Sequence, residues 1–156
     1  MSAPSLRVLL VCMGNICRSP TAEAVLRQRV AAAGLTEQVD VDSAGTGGWH
    51  AGEPPDARAQ RHALLRGFDL AHLRARRVVE ADFEHFDLVL AMDRENLAEL
   101  ERIKPADARA ELRLFGAVEV PDPYHGSAQG FENVLDLIET ASDALVLELG
   151  GRLGTS

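Results

Sequence analysis

Residues 8–23 read Val-Leu-Leu-Val-Cys-Met-Gly-Asn-Ile-Cys-Arg-Ser-Pro-Thr-Ala-Glu, and the fold follows from how this stretch changes character at Cys12. The apolar run from Leu6 to Val11, broken only by Arg7, is short and partly β-branched. It predicts a buried strand. The run stops at Cys12. Ser19-Pro20 then predicts a helix start, with a hydroxyl at the cap and proline at the first helical position. A cysteine therefore sits at the tip of a strand, a tight loop follows, and Arg18 stands where a helix begins.

That arrangement has chemical content. Successive backbone N–H groups in a curled loop form an anion-binding nest, and a helix start adds partial positive charge. Gly14 and Asn15 are residue types that tolerate the left-handed backbone such a loop requires. A field of this kind favours a thiolate over a thiol. Arg18 adds a planar fork able to hold two phosphate oxygens at once. A nucleophilic Cys12 and a phosphate clamp in one loop point to phosphoryl transfer onto sulfur. The N–H groups of Met13, Gly14, Asn15, Ile16, Cys17 and Arg18 are the expected cradle. Ser19 is placed to donate a hydrogen bond to the Cys12 thiolate, a role compatible with capping the helix.

The chain has 156 residues, enough for one domain with a full hydrophobic core. The net charge of −8 argues against a nucleic-acid protein, which would show a basic face. An anionic substrate must then be drawn by a local positive site. No apolar run approaches the ~20 residues needed to cross a bilayer, and no secretory leader is legible at the N-terminus. A cytoplasmic location is expected. The two cysteines, Cys12 and Cys17, form no secreted disulfide framework and have no metal-binding spacing with the histidines. Neither a metal nor a cofactor is expected. Lys104 is the only lysine, a compositional sign of a GC-rich bacterial genome.

Strands alternate with helices along the rest of the chain. A first helix is expected over Ser19–Ala33, ended by Gly34, and a second strand over Val39–Asp42 leading to Ser43. The Gly-rich loop to His50 carries Trp49. It lacks the third glycine and the position of a dinucleotide fingerprint. A helix is expected from Pro54-Pro55-Asp56 to Arg66, a short one over Glu80–His85, and a strand over Phe86–Ala91. The helix after Met92-Asp93 ends before Pro105. Leu112–Phe115 is a shorter strand. Phe131 to about Leu149 is an amphipathic helix with Phe131, Val134, Leu135, Ile138, Leu145 and Leu149 inward, and residues 150–156 are expected to be a flexible tail. The expected fold is therefore a single α/β domain over residues 1–156, with a parallel sheet covered on both faces. Parallel strands put their C-terminal ends on one edge, where ligands bind. Cys12, Ser43, Asp93 and Asp122 then converge. Asn15 is expected to shape the loop, and Asp93 to cap a helix or support the site. Trp49 and Tyr124 are candidate walls of a slot for an aromatic ring.

The spacing Cys-x5-Arg-Ser, within the string Cys12–Pro20 set between a strand and a helix, resembles the low-molecular-weight protein tyrosine phosphatases. The resemblance runs from Leu6 to about Leu149. It implies a four-stranded sheet in the order 2-1-3-4. It implies hydrolysis of phosphotyrosine and small aryl phosphates through a phosphocysteine on Cys12. Asp122, in Asp122-Pro123-Tyr124, corresponds to the family's general acid and base. His72 aligns with a histidine that buttresses the phosphate loop. The resemblance also implies a reversible Cys12–Cys17 disulfide, and a tyrosine-phosphorylated protein as substrate, with a bacterial tyrosine kinase as a partner. One departure is that Tyr124 is followed by His125, where some members carry two adjacent tyrosines.

Three other readings share parts of this pattern. Thioredoxin-coupled arsenate reduction needs two further cysteines, and none follows Cys17. Protein-arginine phosphatases resemble this chain but place threonine where Ile16 stands. A non-catalytic phosphopeptide-binding module would have lost the nucleophile, the arginine or the acid, and all three are present.

Overall fold

The computed structural model describes residues 4–154. Strand β1 (Leu6–Cys12) leads through a loop into α1 (Arg18–Ala32), followed by β2 (Val39–Gly45), α2 (Ala57–Leu65) and the single turn α3 (Asp82–His85). Then come β3 (Leu88–Ala91), α4 (Arg94–Ile103), β4 (Glu111–Leu114) and the long α5 (Ala128–Arg152). The four strands form one sheet in the order β2-β1-β3-β4, and every pairing is parallel. Both the α/β class and the strand order agree with expectation.

β1 is central because it is apolar on both faces. Alternate side chains of a strand point to opposite sides of the sheet. Val8 and Leu10 join a larger core with Val25 and Leu26 of α1 and Val134, Ile138 and Leu149 of α5. Leu9 and Val11 join a smaller core with Phe83, Phe86 and Leu100. Both sets are essentially fully buried. The register aligns the strand ends: Cys12 pairs with Gly45, Val11 with Ala91, and Ala91 with Leu114. The polar residues that follow each strand therefore meet on one edge.

Several boundaries differ from the sequence reading, and three of them bear on the site or the chain's end. Ser19 is not the cap of α1. The helix begins at Arg18, Cys17 occupies the cap position, and no side chain caps the end. Pro20 is the third helical residue, where its missing N–H still costs no intrahelical bond. The free N–H groups of this first turn remain available to an anion. β2 runs on to Gly45 rather than stopping at Asp42. The tail expected to be loose from Gly150 is helical to Arg152. Leu149 is fully buried, and Arg152 pairs with Glu111 at 3.1 Å and Glu148 at 2.8 Å, which ties the last turn to β4. Residues 155 and 156 lie outside the described residues. The six inward positions of α5 are all buried as expected.

Ile138 is completely buried in the larger core. Ile138→Ala is expected to lower unfolding free energy by about 2–5 kcal/mol, through lost apolar burial and the cavity left behind. Urea denaturation checks this.

Candidate active site

The loop between β1 and α1 turns on Asn15. Its φ of 58° is the one positive value among the described non-glycine residues. Asparagine tolerates this conformation better than most side chains. Here the side chain also locks it. The backbone N–H of Arg76 donates to Asn15 Oδ1 at 2.9 Å, which fixes the orientation of the amide. Asn15 Nδ2 then donates to Ser19 Oγ at 2.8 Å and to Ser43 Oγ at 3.1 Å. Ser43 Oγ donates its own hydrogen bond to Glu23 Oε1 at 2.7 Å.

These bonds decide the direction of the last one. Ser19 Oγ already accepts from Asn15, so its hydrogen is free to be given away. Cys12 Sγ lies 3.0 Å from that oxygen, whereas the Ala44 carbonyl lies 3.4 Å away. The backbone N–H of Asn15 also reaches Cys12 Sγ, at 3.3 Å. Two donors therefore converge on the sulfur of a residue that is only 2% exposed. The network is built to hold a negative sulfur.

Arg18 is buried at the start of α1. Its Nη1 donates to Asp93 Oδ2 at 2.6 Å and to the Val120 carbonyl at 3.0 Å. Asp93 also caps α4, accepting from Asn96 N at 2.8 Å, so both roles expected of it are present. Arg18 Nη2 faces Asp122 Oδ2 at 3.8 Å, an ion pair beyond hydrogen-bond length. Asp122 is exposed at the mouth and accepts from Tyr124 N at 3.0 Å.

A cleft of about 350 Å³ opens above these groups. Cys12, Met13, Gly14, Ile16, Cys17 and Arg18 line it from one side, Trp49 and His50 from a second, and Asp122, Tyr124 and His125 from a third. Trp49 is 63% exposed, as expected for a slot wall rather than a core residue. Its indole lies against Gly47: a Cβ there would fall 1.7 Å from the Trp49 ring. Asn15 and Ser19 are buried behind the loop and shape the site rather than line it. Cys17 borders the cleft. Burial, then the charges of Asp56, Cys12 and Asp122, pushes its thiol far up, so Cys17 stays protonated at neutral pH.

His72 is the expected site residue that the fold does not deliver. It is exposed and lines a separate cavity with Glu23, Arg27 and Phe68. Glu23 makes the contact with Ser43. Sequence reading missed Glu23, although its position four residues after Ser19 puts both on one side of α1. It also missed the Arg76 N–H and the Val120 carbonyl, which are backbone groups without any side-chain signal. His50 and His125 border the cleft beside residues that were singled out.

Comparison with known proteins gives one family. The family description "Low molecular weight phosphotyrosine protein phosphatase" matches residues 7–153. A low molecular weight protein-tyrosine-phosphatase of Streptomyces coelicolor is 45% identical over 150 residues, covering 90% of this chain and 91% of that protein. The crystal structure of a protein tyrosine phosphatase from Entamoeba histolytica with Hepes in its active site superposes with a TM-score of 0.90 at 38% identity, covering 94% of this chain and 98% of the other. Wzb of Vibrio vulnificus, solved with benzylphosphonate, superposes at 0.83 with 31% identity, covering 92% and 99%.

Two outcomes are expected from the network. A hydrogen bond to a charged group contributes about 1.5–3 kcal/mol. Ser19→Ala should therefore slow alkylation of Cys12 by iodoacetamide at neutral pH by about tenfold or more, followed by mass spectrometry. Burial pushes the Glu23 carboxyl above its ordinary value, opposed by the Ser43 hydrogen bond and the Arg27 charge. The folded state then binds that proton more tightly than the unfolded chain. This contribution to stability is full below the ordinary carboxylate range and is lost as pH rises through the raised value. The stability of Glu23→Gln relative to the parent is expected to improve as pH rises above the ordinary carboxylate range of about 4. Urea midpoints at several pH values measure it, and a difference that stays flat contradicts it.

Proposed function

This chain belongs to the low-molecular-weight protein tyrosine phosphatase family, and we propose that it hydrolyses phosphotyrosine in proteins through a phosphocysteine formed on Cys12. The observation that carries the mechanism is the double donation onto Cys12 Sγ, from Ser19 Oγ at 3.0 Å and Asn15 N at 3.3 Å, at the floor of a cleft rimmed by Asp122. In the first step the thiolate attacks phosphorus. The loop N–H groups and the Arg18 guanidinium stabilise charge on the equatorial oxygens. The bond from phosphorus to the aryl oxygen breaks, and that oxygen takes a proton from the Asp122 carboxyl. In the second step the Asp122 carboxylate removes a proton from water. The water oxygen attacks phosphorus, the sulfur–phosphorus bond breaks, and Cys12 leaves as a thiolate held by Ser19. Phosphate departs, and Asp122 is protonated again.

Substrate shape follows from the walls. Trp49 and Tyr124 flank a cleft that suits a flat ring carrying its phosphate to the floor, which disfavours the shorter phosphoserine. The related Wzb accommodates benzylphosphonate, a ring bearing a phosphonate. Ile16 borders the floor where the arginine-specific relatives carry threonine, which supports an oxygen ester as substrate.

The setting is read as a bacterial cytoplasm. Two cysteines in one short loop, with none elsewhere, are not a secreted disulfide framework, which supports a reducing compartment. A tyrosine kinase must supply the substrate. Among the described residues no helix is long and apolar enough to cross a membrane.

Stopped-flow kinetics on p-nitrophenyl phosphate test the mechanism. A burst of nitrophenolate of about one per chain is expected, and Cys12→Ser is expected to abolish it. Asp122→Ala is expected to slow turnover of phosphotyrosine by about 10²–10⁴-fold, the usual contribution of a positioned acid. Phosphoarginine peptides in the same plate should be poor substrates. Tight phosphate binding without any burst would mean a recognition module.

A further inference from the structure

We propose that Arg58 is a positioning residue that holds the general acid in place when Arg18 is occupied by substrate. This inference rests on the phosphocysteine reading above.

Besides the Arg18–Val120 hydrogen bond two residues upstream, the segment of Asp122 and Tyr124 has two ties to the phosphate loop. The direct one is the 3.8 Å approach of Asp122 to Arg18. That tie is electrostatic, and turnover removes it. A phosphoryl dianion in the fork is the stronger partner for Arg18, and Asp122 must enter the first step protonated, without its charge. Some other contact has to hold the acid at the moment it acts.

The second tie survives both changes. Asp56 N donates to the carbonyl of Ile16, in the phosphate loop, at 2.8 Å. The Asp56 side chain caps α2 and holds Arg58 by two bonds, Nε to Oδ1 at 3.2 Å and Nη2 to Oδ2 at 3.0 Å. The Arg58 guanidinium then lies over the Tyr124 ring, 5.3 Å from its centroid, and over the Phe131 ring at 4.9 Å. Arginine stacks on aromatic faces in this way because its planar cation meets the negative face of the ring. Tyr124 N in turn donates to Asp122 Oδ1 at 3.0 Å. The path Ile16–Asp56–Arg58–Tyr124–Asp122 links the cradle to the acid without using Arg18. It also fixes the ring of the slot wall, with Phe131 of α5 as its anchor. Only the last of these contacts touches Asp122, and a neutral carboxyl still accepts that bond through its carbonyl oxygen.

A group that acts by placing the acid has a signature that a purely structural group lacks. Its loss should hurt most where the leaving group most needs a proton. Phenyl phosphate releases a phenol of pKa about 10, like tyrosine. p-Nitrophenyl phosphate releases a far weaker base. The value of kcat/KM reports the chemistry up to departure of the phenol. For Arg58→Ala we expect kcat/KM on phenyl phosphate to fall about tenfold, a part of the 10²–10⁴-fold that a positioned acid supplies, and on p-nitrophenyl phosphate by less than about threefold. Because Arg58 acts through Tyr124, adding Arg58→Ala to Tyr124→Ala should cost less than about twofold more on phenyl phosphate. Arg58→Gln, which keeps the stem but not the cation, should behave like Arg58→Ala and serves if the alanine variant does not fold. Equal losses on both esters, or additive losses in the double variant, would overturn the proposal. The parent protein is run alongside: absence of its nitrophenolate burst would instead refute the phosphocysteine reading itself.

Discussion

The site depends on one backbone conformation. Asn15 sits at a φ of 58°, and this left-handed turn lets the loop double back on itself above Cys12. The same residue then sets the direction of every hydrogen bond behind the loop. Its amide is oriented by the Arg76 N–H, its two protons go to Ser19 and Ser43, and Ser43 is drained by Glu23. The Ser19 proton has one good destination left, the sulfur. The Cys12 sulfur is thus supported by side chains buried behind the loop. Such buried networks are costly when incomplete and specific when every member is satisfied.

Charge is arranged on the same principle. The chain is strongly acidic overall, yet the floor of the cleft holds a buried arginine and a sulfur that accepts two hydrogen bonds. Asp93 and the Val120 carbonyl hold one arm of Arg18, so its plane is set before a phosphate arrives. Pre-oriented donors need no reorganisation as charge develops, which is the main source of transition-state stabilisation in sites of this type. Cys17 borders the same cleft in a setting that keeps it protonated.

Much of this was legible from sequence, and the failures follow a pattern. The apolar run to Val11, the small polar loop and Arg18 identified the strand, the loop and the helix start, because each rests on local residue type. The convergence of Cys12, Ser43, Asp93 and Asp122 followed from parallel strands alone, although the strand order came from family resemblance. Ser19 misled, since Ser-Pro is a familiar helix start. The left-handed Asn15 turns that hydroxyl inward, and the helix begins one residue earlier. His72 was placed at the loop by resemblance, but the fold leaves it on a neighbouring cavity and gives the Ser43 contact to Glu23. The stack of Arg58 on Tyr124 and Phe131 joins three distant segments and carries no local signal.

The most direct test of the account is to catch the enzyme in mid-reaction. The protein is mixed with a phosphotyrosine peptide, quenched within the first turnover, and digested for mass spectrometry. One phosphate per chain on the peptide that contains Cys12, located on its sulfur, is the predicted result. Turnover with no phosphorylated protein, or phosphate carried by any other residue, would contradict it.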